Sequence, residues 1–154
     1  MVTIQVDTLS VSLLEFLRDL LRENLTHPSG SEETWIFKDN PAEGIDADDF
    51  PKVILTDNGQ KIEQIGLSGE MTVPKDLNVS ITIYTFDPYT RDTISDQVRA
   101  ILRDYTYADT NGDTMKTMLL TLKSISSSTN DIYANYPKPY RIKEFDCIFR
   151  YRGG

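Results

Sequence analysis

Carboxylates are the dominant ionisable side chains of this 154-residue chain, 24 against 16 lysines and arginines. Five of them, Asp39, Glu43, Asp46, Asp48 and Asp49, fall in one stretch broken by Pro41 and Gly44. Asp46, Asp48 and Asp49 offer oxygen ligands suited to a hard divalent cation, against the ordinary reading of a solvated acidic loop, and paired carboxylates serve acid–base hydrolysis. No spacing among the five singles out a pair. So many like charges do not pack unpaired against a core, and loops on a rigid scaffold carry contacts. The five form the candidate site, read as an assembly, channel or partner surface against the alternative of solvated decoration. No catalytic, cofactor or metal role is assigned to any residue.

The other reactive side chains are few. A His-dependent triad has only His27 to use, and His27-Pro28-Ser29-Gly30 reads as the exit of a helix. One cysteine, Cys147, permits no internal disulfide, and one Cys plus one His do not complete a zinc site. Cys147 lies in an alternating apolar stretch and reads as a small core residue. Gly66-Leu67-Ser68-Gly69 lacks the spacing of a nucleophile elbow. Asp109-Thr110-Asn111-Gly112-Asp113 opens like a calcium loop but places Thr114 and Leu120 where an EF-hand needs Gly and Glu, so a turn is the better reading. There is no Walker sequence and no Gly-x-Gly-x-x-Gly. Arg152-Gly153-Gly154 is similar to a ubiquitin-like tail, but a leucine-rich helix follows Met1-Val2-Thr3-Ile4 where a hairpin's second strand would run.

The elements that position these groups follow from periodicity. Leu13, Phe16, Leu17, Leu20 and Leu21 recur at helical spacing, with a capping-box pattern at Ser12 and Glu15, which predicts a helix over 12–25. Residues 34–38 and 52–56 read as short strands around the acidic loop. Asp57-Asn58-Gly59 signals a tight turn before a further strand over 61–67. Val79, Ile81 and Ile83 alternate with Ser80, Thr82 and Tyr84 in a strand over 78–86 that Asp87-Pro88 ends. Ile94, Val98, Ile101, Leu102 and Tyr105 share one helical face, with Thr90 or Asp92 as the cap. Residues 115–125 read as a strand, and Phe145, Cys147, Phe149 and Tyr151 alternate cleanly in the last one. The order α-β-β-β-β-α-β-β describes a single α+β domain over 1–154, a mainly antiparallel sheet with two amphipathic helices on one face.

The net charge of −8 opposes general binding to nucleic acid or anionic membrane, because phosphates are repelled. No run of about 18 apolar residues is present to span a bilayer. The first residues lack the basic and apolar regions of a signal peptide.

The ordered set of an apolar helix over 12–25, Trp35-Ile36-Phe37, a Pro-containing acidic loop, Asp48-Asp49-Phe50-Pro51-Lys52-Val53, the strand 78–86 and the helix 90–105 resembles the tail terminator (tail completion) proteins of long-tailed phages and related tailed viruses. The segment 106–140, with Tyr136-Pro137-Lys138-Pro139-Tyr140, is longer and richer in Ser and Thr than that pattern. The resemblance implies a non-enzymatic virion protein, made in the host cytoplasm. It implies a homo-oligomeric ring, six subunits in that family, which stops tail-tube polymerisation. Its partners would be the tail tube protein and a head-proximal neck or connector protein, with DNA passing through without specific binding and no membrane involved. Alternatives are another neck or tail subunit (a head-completion or tail-tube protein), a small Asp- and metal-dependent enzyme, or a ubiquitin-like modifier.

Overall fold

The computed structural model describes residues 9–30, 34–38, 51–62, 75–107, 120–132 and 140–151. These form helices α1 (Leu9–Asn24) and α2 (Pro88–Tyr107) and strands β1 (Ile36–Lys38), β2 (Lys52–Ile62), β3 (Lys75–Thr85), β4 (Leu120–Ile132) and β5 (Tyr140–Tyr151). The strands make one sheet of order β1-β2-β3-β5-β4, parallel at β1·β2 and antiparallel elsewhere. The α+β class read from periodicity is therefore the observed one.

Directly paired residues project to the same side of a sheet. The register Val53↔Ile83, Leu55↔Ile81, Ile81↔Phe145, Val79↔Cys147 and Leu77↔Phe149 thus gathers one apolar face. That face and the stripes of α1 (Leu13, Phe16, Leu17, Leu20, Leu21) and α2 (Ile94, Val98, Leu102) form one core. Phe145, Cys147, Phe149 and Tyr151 all belong to it, as their alternation predicted.

Four local expectations are corrected. The helix expected over 12–25 begins at Leu9, so Ser12 is a buried residue of its first turns and not its cap. Asp57-Asn58-Gly59 does not reverse the chain. β2 runs through it to Ile62, so the separate strand expected from residue 61 is in its first residues the continuation of β2. The pairing shifts between Asp57 and Gly59, and a bulge absorbs the extra residue. Gly59 adopts φ 113°, and its N–H donates to the Asp57 carboxylate at 2.9 Å. A turn signal inside a strand becomes a bulge when both flanks continue the ladder, as these do against β3.

Thr90 and Asp92 do not cap the second helix. Asp87 does, accepting from the Thr90 N–H and the Thr90 hydroxyl, both at 3.0 Å. Pro88 occupies the first helical position, where its missing N–H costs nothing. Lastly, the strand expected over 115–125 is described from Leu120 and continues to Ile132, past any apolar alternation. Its pairing with β5 as far as Ile132↔Tyr140 supplies the reason.

The acidic stretch 39–50, the remainder of the strand expected over 61–67 and the 109–113 turn lie outside the described residues. Among the described residues no helix is long and apolar enough to cross a membrane.

Candidate functional site

Asp39, Glu43, Asp46, Asp48 and Asp49 lie outside the described residues, but both anchors of their segment are placed. It leaves β1 after Lys38 and rejoins the sheet at Pro51 and Lys52. Because β1 and β2 are parallel, with Ile36 opposite Val53 and Lys38 opposite Leu55, the connection starts at one end of the strand pair and finishes at the other. The anchors are well held. The Val53 N–H donates to the Trp35 carbonyl at 2.9 Å. Lys38 pairs with Glu15 of α1 at 3.4 Å, and Lys52 lies 5.9 Å above the Phe37 ring.

The sheet face turned away from the helices carries the second cluster of chemistry. Asp76, Asn78, Ser80, Thr82 and Tyr84 of β3 alternate onto it, and β5 adds Glu144, Asp146, Ile148 and Arg150. Asp76 is buried. Arg150 grips it with Nε at 2.9 Å and Nη2 at 3.3 Å, and the Lys123 ammonium adds a third contact at 2.9 Å. The Arg150 hydrogen bonds, over the opposing effect of burial, hold the Asp76 carboxyl down at about 2. Beside it a polar chain crosses the strands: the Asn58 amide donates to the Ser80 hydroxyl, which donates to Asp146 at 3.0 Å. Asn58, Asn78, Ser124, Ser126, Asp146 and Ile148 line a depression of about 220 Å³ there.

A third cluster joins α2 to the β4–β5 hairpin. Asp131 accepts from Arg91 at 2.8 Å and from Arg141 at 2.9 Å. Burial alone would raise its carboxyl, but the two guanidiniums hold it below the ordinary value. Thr85, Phe86 and Asp87 connect this cluster to the α2 cap. Phe86 packs edge-on to Tyr140 at 5.7 Å, and Tyr89 stands 78% exposed alongside.

Sequence reasoning missed both carboxylate–cation clusters. Asp76 meets Arg150 and Lys123, 74 and 47 residues away, through the strand register, and Asp131 meets Arg141 across the β4–β5 pairing and Arg91, 40 residues away, through the packing of α2. The alternation of β3 and β5 was the one usable signal, since it puts Asp76 and Arg150 on the polar side of neighbouring strands. The readings of the lone His and Cys hold. His27 accepts from the Ser29 N–H at 3.1 Å and stacks edge-on against Trp35 at 5.1 Å, an ordinary helix-exit role. Cys147 is buried, which pushes its thiol up to about 12, far from a reactive thiolate.

Chemically, Asp76 and Asp131 are neutralised carboxylates that tie strands and helix together. Among the described residues no group of three or more His, Cys, Asp or Glu is placed to hold a metal ion. The polar sheet face offers hydroxyls, amides and paired charges, the composition of a hydrated contact surface. No protein-family model matches the chain, and no curated protein matches it.

Proposed function

We propose that this chain is a structural virion protein that forms a closed ring, caps the tail tube, stops its polymerisation and joins the tail to the head-proximal neck. The carrying observation is the order of elements. An apolar helix, a short edge strand, an acidic connection, a long strand pair and a second amphipathic helix follow one another as in the tail terminator family that the sequence resembles. Two further features support the reading. Both helices cover the same side of the sheet, and part of the opposite side, including Ser124, Ser126 and Asp146, is exposed. The net charge of −8 lets DNA pass a channel wall without counterion release, whereas a basic wall would retain it. A ring requires one surface of the subunit to complement a different surface of the next, closing on itself.

The acidic stretch 39–50 is the proposed channel or partner surface, since five like charges in one connection do not pack unpaired against a core. Light scattering and negative-stain imaging of the purified protein, alone and with tail tubes, test the proposal. The expected result is a ring of uniform subunit number, six by the resemblance, seated on one end of the tube. A protein that stays monomeric and leaves tube ends bare overturns it.

A further inference from the structure

The two edges of the sheet are unlike. At β1 the edge is three residues long. The bond from the Val53 N–H to the Trp35 carbonyl sets the parallel ladder so that Ile36 turns its backbone polar groups outward. The Arg22 guanidinium of α1 occupies that outward carbonyl, with Nε at 3.1 Å and Nη2 at 2.7 Å. This edge is closed to strand addition.

At β4 the edge is thirteen residues long. Edge strands are ordinarily guarded by charge, proline or a bulge. Here the guards stand at the ends. The bulge between Leu122 and Ser124 carries Lys123, which is held by Asp76, and Asp131 is held by Arg91 and Arg141. Between them, residues 124–130 contain no charge, proline or glycine. Ser126, Ser127, Ser128, Thr129 and Asn130 are all exposed, so this ribbon is open on both faces as well as along its edge. Among the described residues no strand pairs with that edge.

We propose that the strand completing this edge is the segment Met1–Thr8 of a neighbouring copy, added alongside β4. Val2, Ile4 and Val6 alternate with Thr3, Gln5 and Asp7, the period of a half-buried strand. Placed beside β4, the apolar set continues the helix-side layer from Leu122 and Ile125, which pack against the core. The polar set joins Ser124, Ser126 and Ser128 on the other side. The donor is a neighbour because the segment runs into α1 at Leu9, and α1 packs over β1 and β2 at the opposite edge. From β2 to a strand outside β4 is four strand spacings, about 19 Å. With residues 2–7 paired, one linking residue covers only about 3.5 Å. Donation from each copy to the β4 of the next is a head-to-tail contact, which fits a ring, and the inference rests on that proposed ring.

The test is disulfide trapping between full-length copies, with Cys147 buried and silent. Gln5→Cys protein is mixed with Ser126→Cys or Ser128→Cys protein under mild oxidation. The expected result is a disulfide between copies in the mixtures, at least tenfold above either variant alone. A version lacking residues 1–8 should keep its far-UV circular dichroism yet need at least tenfold more protein to assemble, and Ile4→Lys should reproduce that loss. Predominant Ser126→Cys self-linking would show β4 pairing with β4 about a two-fold axis and overturn the proposal. So would a disulfide formed within one copy of the doubly substituted chain. Rings that persist without residues 1–8 sink strand donation and leave the ring standing, whereas absence of any ring from the parent protein sinks both.

Discussion

Asp76 shows how a single side chain ties stability to pH. Its carboxyl lies at about 2 in the folded protein against an ordinary 3.8, because Arg150 and Lys123 bond the ionised form. A depressed carboxylate contributes stability that is fully present above the unfolded value and is lost as pH falls through the folded one. Urea midpoints should therefore fall progressively between about pH 5 and pH 2. Asp76→Asn should lower stability at pH 7 by about 1–3 kcal/mol, through the cations left without their counter-charge, and should flatten that acid limb. A parent-like acid limb in the variant would assign the pH dependence elsewhere. Phe149 carries a different kind of energy. It is fully buried in the core, beside Leu77 and Leu122 of the flanking strands. Phe149→Ala should cost about 3–5 kcal/mol on denaturant unfolding, and a loss under about 1 kcal/mol would remove it from the core.

At the scale of elements, the long periodic segments were the legible ones. The Leu13–Leu21 stripe, the Val79–Ile83 alternation and the Phe145–Tyr151 alternation each specified their element and its buried face, because every apolar residue in them has a partner across the core. Local polar chemistry was harder to read. Asp57-Asn58-Gly59 has the composition of a hairpin, and only the pairing of both flanks with β3 turns it into a bulge. Asp87-Pro88 ends β3 and also starts α2, a double use that left Thr90 and Asp92 as the visible candidates. Asp87 makes a direct expectation: Asp87→Ala should lower the melting temperature, and Asp87→Ser, which keeps an acceptor at the cap, should recover most of the loss. Equal melting temperatures for Ala and Ser variants would deny the cap its role. The parallel pairing of β1 with β2 had no signal at all, since a three-residue strand carries no periodicity. The ion clusters at Asp76 and Asp131 were likewise silent, being products of strand register and helix packing. The acidic stretch was conspicuous by composition, yet composition gives no placement beyond its two anchors.

For the molecule as a whole, charge and assembly make the remaining expectations. With a net charge of −8, the protein should bind duplex DNA weakly or not at all at physiological salt. A gel-shift titration giving sub-micromolar affinity would contradict the proposed passive passage of DNA. Replacing Asp46, Asp48 and Asp49 together by Asn should leave the circular dichroism and melting transition in place while altering ring assembly or the yield of infectious particles. A triple variant that assembles and supports infection like the parent would make those acids solvated decoration. Together the two experiments separate charge that keeps DNA moving from charge that meets a protein.

The strand order β3-β5-β4 also sets a timetable. The two longest pairings of the sheet both wait for β5, the last strand among the described residues, and join positions as distant as Asp76 and Arg150, 74 residues apart. Until Tyr140–Tyr151 has been synthesised, β3 has an open flank, β4 has no partner and the core lacks Phe145 and Phe149. At about 5–20 residues per second, several seconds separate the completion of β3 from the arrival of its neighbour. During that interval the growing chain exposes the apolar face of β3 to every other copy being made nearby. Closure of the domain is thus a late event in synthesis.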